Sequence, residues 1–63
     1  MRITLAAARV NKGMTQEQLA EAVGVSKGTV GSWERGATKP NSDKIPVICK
    51  ALEVHYDNIK WNV

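Results

Sequence analysis

The side chains able to do chemistry in this 63-residue chain fall into two groups. Cys49 and His55 are each the single copy of their kind. One cysteine forms no intramolecular disulfide, and one Cys with one His falls well short of a structural zinc site. Neither has a base or nucleophile predictable beside it, and no nucleotide-binding glycine loop follows a strand, so the sequence assembles no catalytic machinery. The second group is polar and cationic. If residues 27–35 are helical, Lys27, Gly28, Gly31, Ser32 and Arg35 share an outward face, with Lys39 just beyond it. Interior glycines cost a helix about 0.5–1 kcal/mol each relative to alanine, so two on one face need a reason, and close approach to a surface supplies one. In a DNA major groove Lys27 and Ser32 would reach base edges, Lys favouring guanine acceptors, while Thr29 would meet a thymine methyl or a phosphate.

That face must be positioned by the stretch Thr15–Gly36, TQEQLAEAVGVSKGTVGSWERG. Thr15 with Gln18 three residues on is a capping-box pattern, and Met14 before the cap can staple onto Leu19, so a helix is predicted from Gln16. Gly24 follows the last apolar position, Val23, and accepts the left-handed conformation that stops a helix. Ser26 then caps a second helix, Val25 and Val30 stand at staple spacing, and Gly36 ends it. Two helices joined by so short a glycine-containing turn form the unit that sets its second helix in a DNA major groove.

The flanking chain supplies the support. Thr4 can cap a first helix over 5–12 with Leu5 and Ala8 inward, after an extended Met1–Ile3. Arg9 falls one turn after Leu5, where a bare charge would be costly without a partner. Leu19, Ala20 and Val23 form the inward stripe of the second helix, and Val30 and Trp33 that of the third. Residues 37–41, ATKPN, read as a loop with Lys39 placed to meet a phosphate. A fourth helix over 44–52 carries Ile45, Ile48, Cys49 and Leu52 inward, with Pro46 harmless in the first turn. A fifth is expected over 56–60, with Ile59 inward and His55 as an imperfect cap. Trp61 is expected to cover the core, with Tyr56, Trp61 and Val63 as the candidates for a dimer patch. The expected fold class is all-α, five helices in one domain of 1–63.

Composition narrows the class further. Nine Lys and Arg against six Asp and Glu give a net charge of +3, and the isoelectric point near 9.4 favours polyanionic partners. No apolar run approaches the roughly 20 residues needed to span a bilayer, and residues 1–10 lack a signal peptide's features. The lone cysteine fits a reducing cytoplasm.

With these residues in view, GMTQEQLAEAVGVSKGTVGSWERG resembles the helix-turn-helix of the XRE/Cro/CI-like repressor family, phage-type lambda-repressor-like domains, and the resemblance runs from Leu5 to about Trp61. It implies a sequence-specific regulator of double-stranded operator DNA, a repressor of phage or Cro type, homodimeric at least on DNA, with no cofactor, metal or catalysis. Base contacts are then expected from Lys27, Gly28, Thr29 and Ser32. Phosphate contacts are expected from Thr15, Gln16, Gly31, Arg35, Thr38 and Lys39. Family members pair the Arg and Glu that stand here as Arg9 and Glu34, and use the glutamine at position 16 against both the DNA backbone and the recognition helix. The chain departs from the family in its short side chains at 28, 29 and 32, which implies few base hydrogen bonds and more readout through DNA shape. The alternative is a protein-interaction module, antitoxin- or anti-repressor-like, offering its apolar tail to a partner.

Overall fold

Thr4 belongs to two elements. With Ile3 it forms a two-residue strand, β1 (Ile3–Thr4), and its hydroxyl accepts from the Ala7 N–H at 3.0 Å to cap α1 (Leu5–Asn11). The computed structural model describes residues 2–61. Next comes α2 (Gln16–Val23), which opens with the reciprocal cap predicted for it: Gln18 N–H donates to Thr15 Oγ1 at 3.0 Å, and Thr15 N–H donates to Gln18 Oε1 at 2.9 Å. Gly24 stops α2 at φ 87°, where a Cβ would be strained, and its N–H donates to the Ala20 carbonyl at 2.8 Å. Two residues later Ser26 Oγ accepts from the Thr29 N–H at 3.1 Å and starts α3 (Lys27–Arg35). Gly36, at φ 79°, ends it.

α4 (Ile45–Leu52) begins without a side-chain cap; a turn closed by Lys44 N–H on the Asn41 carbonyl at 2.9 Å leads into it, and Pro46 lies in the first turn where its missing N–H costs nothing. It ends at Glu53, which takes the left-handed conformation at φ 56° without being glycine. Ile48 and Leu52 are buried as expected, but Ile45 and Cys49 are only half-buried.

The expected fifth helix is corrected. Residues Tyr56–Asn58 make one 3-10 turn, and the chain then straightens into β2 (Ile59–Lys60), which lies parallel to β1 with Ile3 opposite Ile59 and Thr4 opposite Lys60. The described residues therefore hold four α-helices and a small sheet rather than five helices alone. The physical reason is that His55 makes no side-chain cap, while the edge of β1 offers backbone partners that a helix would leave unused. Ile59 is inward as predicted, 2% exposed, but from a strand.

The core gathers residues from the four helices and β2: Leu5 and Ala8, Leu19, Ala20 and Val23, Val30 and Trp33, Ile48 and Leu52, and Ile59. Leu19, Val30, Ile48 and Ile59 are fully buried, each removal from water contributing roughly 1.5–3 kcal/mol. Trp61 packs half-buried against this core, its Nε1–H donating to the Tyr56 carbonyl at 2.9 Å, and the two rings stack at 5.6 Å with Tyr56 exposed. Met1 and Val63, named in the sequence reading, lie outside the described residues. No helix among the described residues is long and apolar enough to cross a membrane.

Candidate nucleic-acid interface

α3 is oriented by what its inner face buries. Val30 is fully enclosed and Trp33 is 8% exposed, and α2 packs along the same helix, so rotation about its axis is fixed by two large apolar anchors one turn apart. Glu34 adds a polar pin. Arg9 Nε donates to Glu34 Oε2 at 2.7 Å and Nη2 to Oε1 at 3.2 Å, while Nη1 donates to the Met14 carbonyl at 2.8 Å. Gln16 Nε2 donates to Glu34 Oε1 at 2.9 Å. The side chains of Arg9 and Glu34 are 14% and 8% exposed, so both charges are largely withdrawn from water and satisfied by bidentate geometry. Such a pair offsets little more than its own desolvation, and its use is geometric: it ties α1, the start of α2 and the end of α3 together.

The other side of α3 remains open. Lys27, at its first position, and Gly28 are exposed, as is Arg35 at its last. The Cα atoms of Lys27 and Arg35 are separated by about 12 Å of helix rise, close to the width of a B-DNA major groove. Ser32 and Thr29 are half-buried; the Thr29 hydroxyl is 2.8 Å from that of Ser26, and Ser32 Oγ accepts from Arg35 Nη2 at 3.4 Å. Thr15, Thr38 and Lys39 are exposed, and Gln16 is half-buried at the start of α2. Lys27, Arg35 and Lys39 enter no ion pair among the described residues, so this face presents uncompensated positive charge.

One expectation is corrected: Gly31 is not an open position on the outer face. It is buried, because Arg35 and Gln16 lie over it, and a Cβ added there would come within 3.3 Å of Arg35 Nη1. Helical spacing places Gly31 beside Lys27 and Arg35; only the neighbouring helix decides that it is covered. The fold of Arg35 back over its own helix carried no signal in the sequence, and neither did the surface pair between Lys12 Nζ and Glu53 Oε2 at 2.7 Å.

The chain is similar to known transcriptional regulators in sequence and in fold. The family described as helix-turn-helix matches residues 5–59. The transcriptional activator BcrR of Enterococcus faecalis is 39% identical over 81% of this chain, which spans 25% of that protein. Two Bacillus subtilis regulators, YobD and YgzD, are 37% and 36% identical over 73% and 84% of this chain, which covers 41% and 80% of them respectively. Thus the chain spans a quarter to two fifths of the length of the first two and most of the third. Two crystal structures of the clp gene regulator ClgR from Corynebacterium glutamicum superpose with TM-scores of 0.75 and 0.79, at 38% and 36% identity, covering 79% and 84% of this chain and 53% and 68% of theirs. With a family match across nearly all of the described residues, and α3 locked in place with a basic face outward, the chain belongs to the XRE family of helix-turn-helix transcriptional regulators.

Proposed function

We propose that the chain binds a specific double-stranded operator as a pair of copies, each laying α3 in a major groove of half-sites spaced by roughly 34 Å, and that it represses by occluding a promoter. The observation that carries this reading is the contrast between the two sides of α3: Val30 and Trp33 are enclosed and Glu34 is pinned by two partners, whereas Lys27, Gly28 and Arg35 are left to solvent. Lys27 is the principal reader of base edges, with Gly28, Thr29 and Ser32 close to the groove floor. Thr15, Gln16, Arg35, Thr38 and Lys39 hold the phosphates. Because few side chains at the reading positions are long, part of the specificity comes from the deformability of base pairs that no side chain touches.

Selection of bound duplexes from a random pool at two salt concentrations tests the reading. A palindromic consensus with a steep salt slope supports it. Failure to enrich any duplex at low salt, with a tight protein complex formed instead, would favour an interaction module on the same fold. BcrR is an activator, so the sign of regulation is read separately. A promoter fused to a reporter should be silenced when the chain is supplied; stimulation would reverse that part of the proposal.

A further inference from the structure

Gly31 is buried although it stands on the same helical face as exposed Lys27, Gly28 and Arg35. Two side chains bury it. Arg35 turns back one turn along α3, its Nη2 donating to Ser32 Oγ at 3.4 Å, so that Nη1 lies 3.3 Å from where a Cβ on Gly31 would be. Gln16 arrives from α2, and its amide nitrogen and oxygen both lie 4.0 Å from the same point. Each tip keeps donors in reserve. A primary amide carries two N–H groups, and Gln16 uses one on Glu34 at 2.9 Å; a guanidinium carries five, and Arg35 uses one on Ser32. Glu34 itself is already neutralised by Arg9 at 2.7 Å, so the spot where these donors meet carries the charge of Arg35. A Cβ on Gly31 would press against the Arg35 tip at 3.3 Å and touch the Gln16 amide at 4.0 Å. Glycine weakens a helix interior, and here the missing Cβ leaves a notch that two donors from different helices fill.

We propose that Gly31 is a positioning residue: the notch it leaves brings the Gln16 amide and the Arg35 guanidinium together so that both donate to one DNA phosphate. The proposal rests on the DNA-binding reading above and deepens it, since Gly31 acts on the phosphate through Arg35 and makes no contact of its own. The test compares the unaltered chain with Gly31→Ala, Arg35→Ala and the double variant, on a selected duplex and on a scrambled one, across a salt series, with thermal melts of each. Gly31→Ala should fold with an unchanged or raised melting temperature, because only the flexible tip of Arg35 must give way. It should nevertheless lose about tenfold in affinity on both duplexes. Its salt slope should fall by about one, as for Arg35→Ala, and the double variant should bind no worse than Arg35→Ala alone. Gly28 serves as the control, since a Cβ there meets only Ser26 Oγ at 3.9 Å. Losses from Gly28→Ala and Arg35→Ala should therefore multiply. Full affinity in Gly31→Ala, or losses at 31 and 35 that multiply, would overturn the notch while leaving DNA binding in place; absence of binding by the unaltered chain would overturn both.

Discussion

The Arg9 guanidinium lies side-on to the carboxylate of Glu34, 25 positions later in the chain, with Nε 2.7 Å from Oε2 and Nη2 3.2 Å from Oε1. Removing one partner of so enclosed a pair strands the other charge. Glu34→Ala should therefore cost about 3 kcal/mol in urea unfolding. Glu34→Gln, which keeps an acceptor, should cost less. A midpoint unchanged by Glu34→Ala would contradict this.

Lys27 and Lys39 should separate base reading from phosphate holding. Lys27→Ala is expected to relax sequence preference at one position of each half-site, whereas Lys39→Ala should weaken binding to every duplex and lower the salt slope by about one. Binding isotherms on matched and mismatched duplexes distinguish the two, and equal losses on all duplexes for both variants would refute the assignment.

The helix starts are held by single hydroxyls, Thr15 on Gln18 N–H at 3.0 Å and Ser26 on Thr29 N–H at 3.1 Å. Alanine at either position should cost about 1 kcal/mol, measured by thermal unfolding. Gly24→Ala should cost a similar amount through strain alone, since φ there is 87° and nothing lies within 4 Å of an added Cβ.

Lys12 holds the Glu53 carboxyl below the usual glutamate range, by hydrogen bond and by charge. A depressed pKa in the folded chain means that the contribution is present at neutral pH, above the unfolded value, and is lost as pH falls through the folded one. The window therefore lies at and below the ordinary glutamate value. With the pair on the surface the effect should be small and screened by salt. An NMR titration of Glu53 should show its midpoint moving up in Lys12→Met; an unmoved midpoint would assign the depression to something else.

Burial pushes the Cys49 thiol above its ordinary value, so less thiolate is present at any given pH. Alkylation at pH 8 should be slower than for an unfolded peptide of the same sequence, and urea should remove the difference.

Local chemistry made much of this fold legible. Thr4, Thr15 and Ser26 each bond an N–H within three residues, and Gly24 and Gly36 are confined to a conformation that few other residues adopt, so the sequence around each carries its own instructions. The inward positions of Val30, Trp33 and Leu52 follow from helical spacing in the same way. What was missed depends on distant partners. Ile59 and Lys60 are extended because Ile3 and Thr4 lie alongside them, and no window around VHYDNIKW contains that strand. Helical spacing puts Gly31 on the face of α3 shared with Lys27 and Arg35, but its covering comes partly from Gln16 on another helix. Arg9 read as a charge in need of a partner; the family resemblance, not its neighbours in sequence, pointed to Glu34.

The ladder of Ile3 with Ile59 and Thr4 with Lys60 makes everything from Leu5 to Asn58 one long excursion between two parallel strands. Contacts so far apart along the chain carry a high loop-closure cost, and the ladder should form after the helices have met. A protease nick near Asn58 would thus do more than shorten a tail, because it would strip β1 of its partner in the ladder and take away the wall that Ile59 sets against Leu5 and its neighbours. β2 latches β1, and the two strands should fray together.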